Sequence, residues 1–358
     1  MMIQEKGQKK ECRLPTTDGS PAARKKRGCE LVSYQELPEY MKDNEFILNY
    51  YRAEWPLKQA LFSIFRWHNE TLNIWTHLIG FALILVLIVA NSSHLYQLAD
   101  FMTVVLRQQN FPAGSEAKIS RNTKDILQGV PTRMVDWMIT GKESQIDIKT
   151  GEMSAASTWP LYVFLAGSVF CFLSSSICHL FCCHSQPMNL VLTQMDYVGI
   201  AVMIFTSYFP PMYYIFQCSP PWHIVYLTGT SIIGICITLT LLTPAFARGK
   251  YRSFRACLFI AMGLFGLIPA IHALVVYWSD PYRNVMLAYE GAMALFYIIG
   301  AMFYVSRIPE RWKPGAFDLV GQSHQIFHVF VIFGALAHYG AARVFLEYRS
   351  RLGCHRGD

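Results

Sequence analysis

Seven stretches of about twenty apolar residues dominate this chain, at 71–90, 159–181, 198–216, 224–242, 256–278, 285–305 and 322–342. Twenty helical residues at 1.5 Å each cross the roughly 30 Å of hydrocarbon in a bilayer. Peptide N–H and C=O groups find no partners in lipid, so each stretch must close its own hydrogen bonds as a helix. The expected fold is an all-α integral membrane protein with seven transmembrane helices. Pro210-Pro211 in the third stretch and Pro269 in the fifth should kink or break their helices. Only 15% of the 358 residues are charged, against about 25% in soluble proteins. That deficit fits spans in lipid rather than one large soluble core.

The charges also set the expected organisation. Of the 31 Lys and Arg, 12 lie in the first 66 residues and 7 between Asn91 and Ser157. Residues 1–32 read as a disordered, basic cytosolic tail beside an anionic membrane face. No aromatic interleaving or groove-reading element accompanies that charge, so nucleic acid is not an expected partner. Residues 33–67 read as a cytosolic juxtamembrane segment. Ser33 and Glu36 have capping-box spacing. Leu57, Leu61, Phe62, Phe65 and Trp67 share one face of a helix over 56–67. That helix either lies on the membrane surface or packs on the protein's own body. A membrane domain over 68–346 carries a long extracytosolic insertion at about 91–157, and a short C-terminal tail covers 347–358. With the N-terminus cytosolic, Arg248, Lys250, Arg252 and Arg255 fall on the inner side. So do Arg307, Arg311 and Lys313, as the positive-inside rule requires. The C-terminus is then outside, although Arg343, Arg349, Arg351 and Arg356 lie there. The polar start, Met1–Lys10, lacks a signal-peptide core. The ten cysteines follow no regular framework, so no disulfide is inferred, and Cys182-Cys183 reads as a buried thiol pair or a palmitoylation site.

Chemistry concentrates at one depth. In this topology His179 ends the second helix while His324 and His328 open the seventh, so all three reach the cytosolic side of the membrane. His324 and His328 are four residues apart and share a helix face. Two imidazoles from one helix and a third from its neighbour supply three tetrahedral positions and leave a fourth for water, as at a catalytic zinc site. Such a pair also occurs as a snorkelling or hydrogen-bonded structural feature, and agreement in depth leaves both readings open. Asp196 is expected at the cytosolic start of the third helix, in the same layer, placed to orient or deprotonate that water. Ser175, one turn from His179, would offer a hydroxyl to the water or to a bound carbonyl. His184 lies past the helix end and is left out. His77, His272 and His338 are expected to be hydrogen-bonded packing residues, and Glu290 to reach water at the outer surface.

Several strings then carry a resemblance: Glu70-x-x-Asn73-x-Trp75-x-His77, and Ser175-x-x-x-His179 followed by Cys183-His184-Ser185. Asp196-Tyr197 with Gly199-Ile200, Arg307-Ile308-Pro309-Glu310-Arg311, and Ser323-His324-Gln325-Ile326-Phe327-His328 complete the set. In this order they resemble the progestin and adipoQ receptor family. The last block is similar to the adiponectin-receptor version. The Leu37-Pro38-Glu39-Tyr40 entry and the long first loop are similar to its plant branch of heptahelical transmembrane proteins. The resemblance implies seven helices with a cytosolic N-terminus, zinc on His179, His324 and His328, and roles near the metal for Asp196 and Ser175. It implies a receptor for a protein or steroid hormone, linked in plants to hormone, sugar and stress signalling. The alternative it implies is a ceramidase-like lipid amide hydrolase, which is compatible with a receptor role. A metal-free membrane scaffold is the third reading. The expected partners are a ceramide-like lipid and a hormone or protein ligand. The expected location is the plasma membrane, or an endomembrane.

Overall fold

The computed structural model describes residues 30–92, 157–278 and 282–352. The basic tail up to residue 29, the insertion beyond Ser92 and the last six residues lie outside the described residues. The chain divides into two compact units, Met1–Val86 with Ser154–Asp358, and Leu87–Met153. Of the second, only the end of a long helix and residues 91–92 are described. There Asn91 Nδ2–H donates to Leu87 O at 2.6 Å.

The helices are α1 (Leu57–Phe62), α2 (Thr71–Ala90), α3 (Trp159–Phe181), α4 (Gln186–Ser207), α5 (Phe209–Phe216) and α6 (Pro220–Leu241). They continue as α7 (Arg252–Phe265), α8 (Leu267–Val276), α9 (Arg283–Ser306) and α10 (Ser323–Leu352). Among the described residues no strand forms beyond one antiparallel bridge, Val32 to Tyr51. Seven spans are long and apolar enough to cross a membrane, with α4–α5 and α7–α8 each forming one broken span. The protein is therefore an integral multi-pass membrane protein.

The breaks follow the prolines. Pro210 and Pro211 sit in the first turn of α5, where a missing N–H costs nothing. The α7–α8 break falls at Gly266, before Pro269. Two helices are longer than apolar content alone indicated. α4 starts at Gln186 rather than near 198, because Ser185 and Pro187 supply a helix start that a hydropathy reading passes over. α10 runs to Leu352 rather than 342. Its last turns are held by an Arg351–Glu347 pair and by Arg349, whose guanidinium donates to Tyr214 O at 2.7 Å and Ile215 O at 3.0 Å. Cys218, beside Arg349, is disulfide-bonded, contrary to what the cysteine spacing indicated.

Close packing fixes the bundle's geometry. α3 packs along α4, and α9 along α10. A Cβ on Gly167 of α3 would lie 1.9 Å from Thr206 Oγ1 on α4, so only glycine permits that approach.

The segment before α2 closes one end of the bundle. Leu37, Ile47 and Tyr51 form a small core of their own. Glu36 accepts from the Ser33 N–H and hydroxyl, both at 2.9 Å, as the capping-box spacing indicated. Asp318 accepts from Leu48 N–H at 2.8 Å and Asn49 Nδ2–H at 3.0 Å. Asp43 pairs with Arg252, and Glu45 with Arg307. The helix expected over 56–67 ends at Phe62 and passes into a 3-10 turn, Ser63–Phe65. Ala60 is buried against Trp55 and Cys183, while Leu57, Leu61 and Phe62 of α1, and Phe65 and Trp67 beyond it, are exposed. Of the two readings of 56–67, the apolar face therefore points away from the protein's own body. Cys183 is buried and Cys182 half-buried, which favours the buried-thiol reading for the first.

Arg52 joins this segment to α3. Fully desolvated, it donates to His179 O at 2.6 Å, Leu180 O at 2.9 Å and Ser63 Oγ at 2.6 Å. Those carbonyls end α3 and have no intrahelical partners. Arg52→Met should lower unfolding stability by about 2–4 kcal/mol, from lost charged hydrogen bonds and stranded carbonyls. Thermal unfolding of the purified protein in detergent checks this.

Candidate metal centre

His179 lies in the last turn of α3, and His324 and His328 lie in the first two turns of α10. Their ligand nitrogens all fall within 4.8 Å of one another. Capping aims α10. Glu310 is fully buried and accepts from the Ser323 N–H at 2.8 Å and from the Ser323 hydroxyl. Gln325 Oε1 accepts from Gly321 N–H at 2.7 Å and Gln322 N–H at 3.2 Å. Glu310 thus supplies the acidic partner that a helix N-terminus favours, one residue before His324.

Two neighbours orient the histidine rings. His179 Nδ1 lies 2.8 Å from Glu70 Oε2. A carboxylate accepts, so Nδ1 donates, and Nε2 is the nitrogen turned toward the other histidines. The Thr76 hydroxyl donates to Leu72 O at 2.7 Å. Its oxygen therefore accepts from His328 Nδ1–H at 3.1 Å, which leaves the His328 Nε2 lone pair free. His324 Nε2 stands 3.2 Å from His179 Nε2. Two lone pairs cannot face each other at that distance without a proton or a cation between them. His77 stacks on His328 with ring centroids 3.5 Å apart and planes 12° apart. Both His77 nitrogens are buried without a hydrogen-bond partner. Its role is packing, as expected, but not through a hydrogen bond. His272 does accept such a role, with Nδ1 2.8 Å from the Tyr226 hydroxyl.

The structure brings three of the five sequence-derived residues into one cluster and sets the other two beside it. Asp196 is buried on α4 and faces the same space. It sits nearly three turns inside the helix rather than at its start, because α4 begins at Gln186. Ser175 Oγ is buried beside the Asp196 carboxylate and meets no other hydrogen-bond partner. His184 stands apart and bonds to Trp55 O at 2.8 Å. Glu70 and Thr76 were not identified as supports for the histidines, although the Glu70-x-x-Asn73 spacing marked their helix start. Asn73 Nδ2–H also donates to Glu70, at 2.6 Å. Burial pushes the Glu70 carboxyl up, but the His179 imidazole and the hydrogen bonds from His179 and Asn73 outweigh it and hold it well below the usual carboxylate range. Glu290, expected to reach water, keeps part of its side chain exposed while its Oε1 lies 3.2 Å from His338 Nδ1.

Two spaces meet at this layer. An apolar cavity of about 490 Å³ runs between α4–α5, α7–α8, α9 and α10. A polar vestibule of about 1040 Å³ opens toward the segment before α2 and includes Glu70, His179 and Cys182. Asp196, Tyr197, Tyr304 and His324 face both. Arg255, fully buried, braces this boundary, 4.2 Å over the Tyr197 ring and 3.0 Å from the Tyr304 hydroxyl.

The family described as haemolysin-III related matches residues 65–339. Heptahelical transmembrane protein 1 of Arabidopsis thaliana is 51% identical over 325 residues, covering 91% of this chain and 84% of that protein. A heptahelical transmembrane protein of Oryza sativa subsp. japonica is 51% identical over 341 residues, 92% of this chain and 88% of that protein. Adiponectin receptor protein of Drosophila melanogaster is 33% identical over 322 residues, 89% of this chain and 60% of that protein.

Cys178, Cys182 and Cys183 all line the vestibule, and of the three only Cys182 is half-buried rather than buried. A hydrogen bond from Cys178 holds the Cys182 thiol below the usual range, against the burial that pushes it up. A water-soluble methanethiosulfonate should modify Cys182 ahead of the buried Cys171, Cys178 and Cys183. Peptide mapping by mass spectrometry reads the order, and equal labelling of all four would contradict an open vestibule.

Proposed function

Because the chain belongs to the haemolysin-III-related family, the progestin and adipoQ receptor family whose motifs it carries, we propose that it is a receptor-like membrane protein whose three-histidine centre holds zinc and cleaves the amide of a ceramide-like lipid. One observation carries the reading. The histidine cluster sits where an apolar cavity of acyl-chain character meets a polar vestibule that can deliver water.

The donor set fits zinc. Three neutral imidazoles leave one tetrahedral position open. Metal-bound histidines typically donate their other N–H to a carboxylate or similar acceptor, and Glu70 and Thr76 are placed to accept from His179 and His328. The facing Nε2 atoms of His179 and His324 need a cation or a proton between them. When bound, zinc supplies a Lewis acid that polarises an amide carbonyl and lowers the pKa of water from about 15.7 to about 7.

The chain's own residues do the rest. Glu70 and Thr76 hold the rings in one tautomer. Asp196, facing both spaces, takes a proton from water arriving through the vestibule and returns it to the leaving amine. The Ser175 hydroxyl, beside Asp196, donates to the carbonyl oxygen. The apolar cavity holds the chain and keeps water from it.

A second reading has its own support. α3 and α10 approach each other at few points, so zinc would also clamp two spans together. A hormone or protein ligand that favoured one clamp geometry would shift the population, and hydrolysis and signalling would share the site. The printed name of the Drosophila melanogaster relative, adiponectin receptor protein, favours that role, and the signal would serve hormone, sugar or stress responses. The N-terminus is proposed to be cytosolic and the membrane to be the plasma membrane. Two arginines that ran against the charge rule are engaged within the protein, Arg349 with α5 carbonyls and Arg351 with Glu347. The disulfide at Cys218 fits an oxidising outer side. The outward apolar face of α1 suits the inner membrane surface.

Metal analysis should find zinc in the purified protein and none after His324→Ala with His328→Ala. Full metal in that variant would remove the site and leave the scaffold reading. Glu70→Gln should keep the fold and weaken zinc affinity about 10–100-fold, read by competition with a chelator.

Asp196→Asn separates hydrolase from clamp. It should retain zinc and lose at least about 100-fold in ceramide turnover. Wild-type turnover in this variant would take Asp196 out of the chemistry.

A further inference from the structure

The apolar cavity has a second polar station. From His324 and His328 it runs along α10 past His338 and Glu290 and on to Phe345 and Tyr348. These histidines lie fourteen and ten residues before His338, about 21 and 15 Å along the helix axis at 1.5 Å per residue. Between the two stations the wall is hydrocarbon, with residues such as Leu267, Ala270, Ala294 and Ile298.

At the second station two polar side chains, the buried His338 and the half-buried Glu290, carry inward atoms without a hydrogen-bond partner. His338 is 1% exposed. Its Nδ1 lies 3.2 Å from Glu290 Oε1, but the contact falls outside hydrogen-bond geometry. Glu290 Oε1, His338 Nδ1 and His338 Nε2 are all buried with no hydrogen-bond partner. On one side the His338 ring rests against the edge of Phe164, at 4.6 Å between centroids. Ionisable groups at membrane depth are costly unless something pairs with them. The two lie close to each other, but a plain hydrocarbon tail filling the cavity would leave their inward atoms, His338 Nε2 among them, without a hydrogen bond.

We propose that Glu290 and His338 form a second subsite, which binds a hydroxyl carried on the lipid chain about 15–21 Å from the group at the histidine centre. A hydroxyl is suited to both partners, since it donates one hydrogen bond and accepts others. It donates to Glu290 Oε1 and accepts from the His338 N–H. The subsite selects hydroxylated over plain chains. This rests on the reading that the cavity holds a lipid chain.

The test uses the full-length protein in lipid nanodiscs and competition against radiolabelled palmitic acid. Palmitic acid and its ω-hydroxy counterpart are the probes. The wild type should bind the hydroxy acid about tenfold more tightly, or ~1.4 kcal/mol. His338→Phe and, separately, Glu290→Leu should erase that preference while still binding palmitic acid. Equal binding of the two acids by the wild type would overturn the subsite while leaving the lipid cavity intact. A preference that survives both variants would also overturn it. Failure of palmitic acid to bind the wild type at all would overturn the cavity reading, and the subsite with it.

Discussion

A peptide group in hydrocarbon can bond only to another part of the chain, and that requirement orders everything else in this protein. It makes the seven spans helical. It also makes each helix end, and each break, a place where polar groups must be found. The breaks at Tyr208 and Gly266 fall beside prolines that would otherwise waste hydrogen bonds. The C-terminal carbonyls of α3 are met by Arg52, and the N-terminus of α10 by Glu310. Both helix ends so stabilised carry the histidines of the candidate centre. The residues that satisfy the backbone therefore also place the chemistry.

The segment before α2 organises that end of the bundle. Through Asp43, Glu45, Leu48 and Asn49 it is tied to Arg252, Arg307 and Asp318 on two different connections. These are long-range tethers between a polar stretch and helix ends far away in sequence. Arg252 also lies over the Tyr304 ring at 5.3 Å, and Tyr304 faces both the cavity and the vestibule. Displacement of this segment would reach the histidine layer through only a few contacts.

Polarity divides sharply at that layer. On one side the cavity is almost wholly apolar, and on the other the vestibule carries acids, bases and thiols. A reaction that needs water at one atom and hydrocarbon at the next suits such a boundary. The same contrast makes Glu290 and His338 conspicuous, because they are polar groups on the apolar side.

The seven spans, the two proline breaks and the depth shared by His179, His324 and His328 were legible in the sequence. Each rests on local chemistry: helix length against bilayer thickness, proline's missing donor, and the side of the membrane reached by successive spans. The capping-box spacing of Ser33 and Glu36 was legible for the same reason. The start of α4 at Gln186 was less so, since its first turns are polar and only Ser185 and Pro187 announce them. Nothing in the spacing could show that Glu70 orients His179, since 109 residues separate them. The same holds for Thr76 with His328, 252 residues apart. His77 against His328 and Glu290 beside His338 likewise depend on how α2, α9 and α10 rotate about their axes. A helix's hydropathy records which segment enters lipid. Its rotation is decided by packing, such as the Gly167–Thr206 approach, and only that packing determines which polar side chains meet.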